Sequence, residues 1–292
     1  MPSGGVAGAA PGASVAPAPS PHVVHIRPTA GWWDFRLGEV WASRELLWFL
    51  VWKDVKVRYK ETVIGAAWAV LQPVFTMIVF TIFFGRLAKL PSSGLPYPVF
   101  YMAALLPWSY FASALSGCTS AIVENQRIIT KVYFPRLLLP LSVVIAGLVD
   151  LAIALVVMVP LLIYYGITPT AGLILLPVFV LMATLAALAV GLWLTTLNVM
   201  YRDVRYVVPF IIQFLMFASP VIYSASSVPA RWQWLYGLNP MVGVIEGFRW
   251  AITGAGRPPG LIMIPSFVAV CACLIFGLVF FSRIDGSVAD RI

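Results

Sequence analysis

The sequence predicts an all-α membrane protein with six transmembrane helices, and three observations carry that expectation. Of its 292 residues, 61% are hydrophobic and only 10% are charged, whereas soluble domains carry roughly 25% charged residues to face water. Uncharged apolar runs of about 20 residues, the length that crosses a bilayer as a helix, recur along the chain. Alternating segments of the barrel type are absent, so helices must pair the backbone groups inside lipid. The net charge of +8 would suit nucleic acid, but the bases cluster at the ends of apolar runs, where they act as orientation signals. No nucleic-acid partner is expected.

Residues 1–35 are rich in Gly, Ala, Pro and Ser, a composition that cannot bury a core and reads as a disordered tail. His22 and His25 lie there without further plausible ligands, so no metal site is expected. Residues 36–61 form an amphipathic segment. Leu47, Trp48, Val51, Trp52, Val55 and Tyr59 share one arc of a 3.6-residue helix, opposite Lys53, Lys56 and Lys60. A tryptophan-rich helix with a basic face suits a membrane surface.

The membrane domain is expected over 62–292. Its first span is 62–85, without a charge. A proline-rich loop (Pro91, Pro96, Pro98) leads to a second span near 98–122. The polar connector 124–136 has room for a short helix outside the membrane, able to dock a soluble partner, before Pro135 forces extended backbone. Residues 137–201 are too long for one span and divide at the Gly166–Gly172 stretch, giving spans near 137–165 and 173–197. The connector 198–205 precedes a fifth span near 206–223, and the sixth covers about 259–282. With both ends inside, fourteen Lys and Arg fall on the cytoplasmic side and five outside, which supports a cytoplasmic amino terminus.

Residues 224–257 are not an ordinary loop. Trp232, Trp234, Tyr236 and Trp250 are boundary aromatics, Asn239 and Pro240 break the chain, and the apolar 241–245 is too short to span. Either two short helices dip into the outer leaflet as a gate, or an aromatic anchor lies on the surface. Glu246 and Arg249 are three apart and can pair along one helical turn. Asp150 is the acid well inside a span. It is either a pathway or relay group, or a carboxyl held by neighbouring helices. Phe210, Phe214 and Phe217 recur along the fifth span and, with Tyr223, either line a pathway for sugar rings or simply pack.

The sequence contains no G-x-x-x-x-G-K-[ST] phosphate loop and no H-E-x-x-H motif. No histidine lies within a span, and Cys118, Cys271 and Cys273 sit in apolar segments. No catalysis and no cofactor are expected in this chain.

Five stretches carry a resemblance to a known family. They are Val51-Trp-Lys-Asp-Val-Lys-Val-Arg-Tyr-Lys60, Gly65-Ala-Ala-Trp-Ala-Val-Leu-Gln-Pro73, Lys131-Val-Tyr-Phe-Pro-Arg136, Asn198-Val-Met-Tyr-Arg-Asp-Val-Arg205 and Leu238-Asn-Pro-Met-Val-Gly-Val-Ile-Glu-Gly-Phe-Arg-Trp250. In this order, across residues 40–292, the chain resembles the type-2 ABC exporter permeases of O-antigen, teichoic acid and capsular polymers. That resemblance implies a homodimeric channel in the bacterial inner membrane that exports lipid-linked polysaccharide. Two ATP-binding-cassette partners would bind the ATP and Mg²⁺. It assigns Glu124, Asn125, Gln126, Arg127, Lys131, Tyr133, Phe134 and Arg136 to the coupling helix, and residues 36–61 to an interface helix. It places Asn239, Pro240, Glu246, Arg249 and Trp250 at the external gate. The family's carrier is a lipid pyrophosphate, so Lys53, Lys56, Arg58 and Lys60 suit a basic lateral entrance, although positive-inside bias explains them equally. A drug or simple-lipid exporter of the same fold and a membrane-embedded enzyme on lipid-linked sugars are the alternatives. Surface glycan phenotypes separate the first, and ATP-free activity the second.

Overall fold

The computed structural model describes residues 37–60, 67–255, 260 and 263–285. The expected tail and its two histidines lie outside the described residues. Among the described residues the regular structure is entirely helical. Two helices precede the membrane domain, α1 (Leu37–Ala42) and α2 (Arg44–Lys60). The first membrane helix, α3 (Ala67–Phe80), continues as a π-helical segment over Thr81–Leu87. Next come α4 (Tyr97–Glu124), the single turn α5 (Gln126–Ile129), α6 (Leu138–Tyr164) and α7 (Leu176–Met200). A 3₁₀ turn, Ala171–Leu175, leads into α7. The remaining helices are α8 (Val204–Ala218), α9 (Ala230–Tyr236), α10 (Pro240–Thr253) and α11 (Met263–Asp285).

Five helical segments are long and apolar enough to cross a membrane: Ala67–Leu87, Tyr97–Glu124, Leu138–Tyr164, Ala171–Met200 and Met263–Arg283. The chain is therefore a multi-pass membrane protein. The span expected near 206–223 is shorter, because its helix stops at Ala218. Pro220 is the cause: it disfavours α geometry at the residue before it, and Ser219 is extended, with φ −110 and ψ 157. The break expected between the third and fourth spans is where α6 ends, with Gly166 at φ 64, a left-handed stop that glycine adopts without a steric penalty.

The core is built around α4. Eighteen of its side chains are buried, against α6, α7, α10 and α3. Small residues bring helices close together, as membrane packing requires without a hydrophobic drive between helices. Gly247 of α10 is the tightest case, since a Cβ there would lie 2.3 Å from Phe179 Cε1 on α7. Gly247→Ala is expected to cost about 1–3 kcal/mol through overpacking, read as a lower melting temperature of the detergent-purified protein. A smaller second core joins the helix ends on the side of the 124–136 connector. It contains Leu50 of α2, Ile122 of α4, Phe134, Leu138 and Leu139 at the start of α6, Leu192 of α7 and Phe281 of α11.

The α2 helix departs from a simple surface-lying amphipathic helix. Leu50 and Val51 are buried, while Trp48 and Trp52, expected on the same apolar arc, are 68% and 56% exposed. Its packed face is partly polar. Asp54 accepts from the Ser142 hydroxyl of α6 at 2.9 Å, and one turn further on Arg58 and Tyr59 meet Asp150 of α6. Thus α2 runs alongside the first half of α6, and its polar packing pulls the tryptophans off the protein face.

Candidate functional site, a polar and aromatic cavity in the membrane domain

The last turn of α2 and helices α3, α4, α6 and α8 enclose a partly open cavity of about 710 Å³. Its wall on α3 carries Trp68, Gln72 and Thr76, spaced i, i+4, i+8 and so on one helical face. Its wall on α4 carries Trp108, Ser109, Ser113 and Ser116. Leu105, Leu106, Leu151 and Ala154 make one part apolar, and Ile212 and Met216 come from α8. The exposed Trp68 indole beside hydroxyl and amide groups offers stacking and hydrogen bonding in one space, the mixed chemistry of a binding or conducting surface, while Trp108 is buried in the core behind the wall.

A charged cluster stands on the cavity wall. Asp150 lies 12 residues into α6, about 18 Å along it at 1.5 Å per residue. Its carboxylate accepts from the Arg58 guanidinium on Oδ2 and from the Tyr59 hydroxyl on Oδ1. The side chain of Arg58 is 38% exposed and that of Asp150 20%, so the pair faces the cavity. Burial raises the pKa of Tyr59, with Arg58 opposing; the phenol therefore stays protonated and donates. Asp150 is in this way held by a neighbouring helix while also lining the cavity.

The four bases of the expected lateral entrance are separated by the fold. Arg58 faces the cavity. Lys53 donates to Asn125 at 3.1 Å and lies 3.1 Å from Asp54, which ties α2 to the 124–136 connector. Lys56 and Lys60 are exposed and continue, at four-residue spacing, the outer face begun by Trp48 and Trp52. The connector itself is a single helical turn. Glu124, Arg127, Lys131 and Tyr133 are exposed and Gln126 and Arg136 intermediate, while Phe134 anchors the turn in the second core.

The expected pore aromatics do not meet this cavity. Phe210, Phe214 and Phe217 are 72%, 72% and 51% exposed on the outside of α8, and Ile212 and Met216 face inward. Tyr223 falls beyond the end of α8, where its hydroxyl donates to Phe217 O at 3.2 Å and accepts from Tyr236 at 3.1 Å.

The region expected as an external gate contains two short helices, and they differ. The α9 helix has no buried residue, whereas α10 is buried over 11 of its 14 residues. Asn239 caps α10 by accepting from Met241 N at 3.0 Å, with Pro240 at the first helical position. Asn239 also donates to Ala218 O at 3.1 Å and to Ser219 Oγ at 2.9 Å. Glu246 and Arg249 pair at 2.8 Å. Glu246 further accepts from Ala225 N at 2.9 Å, and Arg249 donates to Pro220 O at 2.8 Å and lies 3.8 Å from the Phe100 ring centroid. Both residues thus clamp the irregular 219–225 segment, whose backbone groups lipid could not satisfy. Trp250 is half-buried beside Gly172.

Sequence reasoning missed Trp68, Gln72, Thr76, Trp108, Ser109 and Ser113. A signal existed: polar residues repeating every four positions within otherwise apolar spans mark a face turned away from lipid. Among the described residues no group of three or more His, Cys, Asp or Glu could hold a metal ion.

Residues 45–253 match the ABC-2 type transporter family. The O-antigen export system permease protein RfbA of Myxococcus xanthus is 33% identical over 242 residues, covering 82% of this chain and 91% of that protein. The polysialic acid transport protein KpsM of Escherichia coli is 26% identical over 209 residues, covering 68% and 78%. The inner membrane transport permease YadH of Escherichia coli K12 is 28% identical over 221 residues, covering 70% and 85%.

Proposed function

The chain belongs to the ABC-2 type transporter family, and from that premise we propose that it is the membrane-channel subunit of an ATP-driven exporter of lipid-linked polysaccharide in the bacterial inner membrane. The observation that carries the substrate class is the cavity, in which the exposed Trp68 indole stands beside Gln72, Thr76, Ser109 and Ser113. The Trp68 indole face accepts the flat apolar side of a sugar ring, and hydroxyl and amide groups exchange hydrogen bonds with sugar hydroxyls at little net cost as the polymer moves. The Myxococcus xanthus and Escherichia coli relatives, an O-antigen export permease and a polysialic acid transport protein, support the same class.

In this reading energy comes from two ATP-binding-cassette subunits, which carry the ATP and Mg²⁺ and dock at residues 124–136. The exposed Glu124, Arg127, Lys131 and Tyr133 are the contact groups, and the Lys53–Asn125 bond passes movement to α2 as the interface helix. Two copies of the chain form the channel, with α8 as a sixth and short crossing whose outward Phe210, Phe214 and Phe217 meet the second copy or the path between the copies. Both termini lie on the cytoplasmic side. At the external end α9 is the movable gate element, and α10, clamped through Asn239, Glu246 and Arg249, is its fixed base. The membrane domain comprises residues 62–292.

Depletion of the chain tests the reading. Completed lipid-linked glycan is expected to accumulate at the cytoplasmic face while surface glycan falls. Unchanged surface glycan without internal build-up, in cells lacking a redundant exporter, would reject polysaccharide and leave a drug or simple-lipid exporter. Glycan turnover by the chain alone in ATP-free liposomes would instead indicate a membrane enzyme.

A further inference from the structure

The segment that continues α3 is wound differently from the helices around it. Thr81–Leu87 are π-helical, a rare i→i+5 winding found mostly as single turns within α-helices and frequently at functional sites. The change of winding coincides with an orphaned hydroxyl. Thr76, Thr119, Thr184, Thr195, Thr196 and Thr253 each donate to the carbonyl four residues earlier. The Thr81 hydroxyl is buried without a hydrogen-bond partner, an arrangement that native proteins avoid unless the site has a use for it. The two ends of this helix are also held unequally. Gly85 is buried so close to α4 that a Cβ there would lie 2.7 Å from Tyr97 Cγ, and Phe80 packs edge-on against Phe84 and Tyr101. Before Phe80, the described residues of α3 bury only Pro73.

An i→i+5 turn holds one residue more than an i→i+4 turn. Rewinding it therefore shifts the helix on its looser side by about one residue, or about 100° of rotation. We propose that the π segment is a register switch for the cavity: rewinding to α geometry gives the Thr81 hydroxyl the Met77 carbonyl and turns the Trp68–Gln72–Thr76 face of α3 off the cavity wall. That face is the α3 wall in the structure. On either side of it lie Leu71 with Phe75 and Pro73 with Met77, so a turn in either direction exchanges a polar wall for an apolar one. Each register satisfies what the other leaves unmet. The π winding keeps Gly85 against Tyr97, and the α winding pairs the Thr81 hydroxyl. Opposed terms of this kind hold two states close in energy, where cargo or a partner can shift their populations. With sugar as cargo, which rests on the export reading, the polar register exchanges hydrogen bonds with the polymer and the apolar register releases it.

The test reads register and export separately, on the full chain in native membranes. Register is read as the rate at which a water-soluble maleimide labels Gln72→Cys, with the native chain and its Cys118, Cys271 and Cys273 as background. Removal of Ile82, an exposed residue, takes the extra residue out of the π turn and fixes the rewound register. Labelling of Gln72→Cys is then expected to slow about tenfold, as position 72 leaves the cavity. Unchanged labelling in a stably inserted chain overturns the switch. Thr81→Val relieves the orphaned hydroxyl of the π register and denies the α register its hydrogen bond. It should raise the melting temperature yet lower surface glycan per inserted chain about fivefold, the factor for one net hydrogen bond. Thr81→Ser keeps the hydroxyl and should export at close to the native rate. A Thr81→Val chain that is more stable and exports normally has lost only a local strain, and that result overturns the proposal. Should the chain without Ile82 fail to insert, Thr81→Val and Thr81→Ser decide. Glycan loss on depletion of the chain, with unchanged labelling on removal of Ile82, removes the switch and leaves the export reading. Slowed labelling in a chain whose depletion leaves surface glycan intact does the reverse.

Discussion

Arg249→Ala is expected to destabilise the protein by about 3–5 kcal/mol, the cost of stripping one partner from a buried, hydrogen-bonded ion pair. The Arg249 side chain is 3% exposed, and three separate contacts depend on it. It neutralises Glu246 at 2.8 Å, satisfies the Pro220 carbonyl at 2.8 Å and stacks over Phe100 at 3.8 Å from the ring centroid. Truncation leaves the Glu246 carboxylate with the Ala225 N–H but without its countercharge, strips the Pro220 carbonyl of the Arg249 donor and opens a void against an aromatic ring. Arg249→Lys should recover only part of the loss, because one ammonium cannot reproduce the planar two-point contact. Thermal unfolding of the detergent-purified chain and the yield of folded protein report the effect. A melting temperature within about one degree of the native value, on a scale where 1 kcal/mol moves even larger domains by about 2–4 °C, would show that the 219–225 segment is not held by this residue.

Ser113→Trp is expected to abolish most export while leaving the fold intact. Ser113 lines the cavity from α4, and its hydroxyl donates only to its own helix, at Tyr110 O, 3.0 Å away. An indole at this position projects into open space rather than into packed side chains, so the stability cost is small. It fills the path that the polymer would follow. A passage barrier raised by about 1.4 kcal/mol slows transit about tenfold, and an obstructing ring raises it further. Surface glycan measured alongside membrane-inserted protein checks this. Native export from a stably inserted Ser113→Trp variant would remove the cavity from the route. Ser113→Ala, which only smooths the wall, should export at close to the native rate and serves as the matched control.

Much of the architecture was legible in the sequence because bilayer crossing is a one-dimensional constraint. Apolar length and charge-free runs located the helices that became α3, α4, α6, α7 and α11 to within a few residues at most ends. The Glu246–Arg249 pair was legible for the same reason, since three residues apart on a helix means adjacent in space. The early end of α8 was readable too, from Pro220, and the 206–223 expectation overran it because hydropathy continues past the break. The direction of α2 was harder. Its apolar arc and basic arc suggested a helix lying flat, but Asp54, Arg58 and Tyr59 turn a polar edge toward Ser142 and Asp150. Trp48 and Trp52 consequently face outward.

The site divided along the same line. Sequence alone determined that this is an all-helical membrane protein, where its helices lie, that its family motifs occur in order, and which residues carry charge near the membrane. Only the tertiary structure decided that Arg58 meets Asp150 across 92 positions and Ser142 meets Asp54 across 88. It also decided that Trp68 and Trp108 share a cavity, and that α8 turns Ile212 inward and Phe210 outward. The physical reason is that lipid exposes an apolar side chain as readily as a protein core buries it. Within a span, hydropathy therefore reports depth but not rotation, and rotation is set by close small-residue contacts and by polar partners from distant helices.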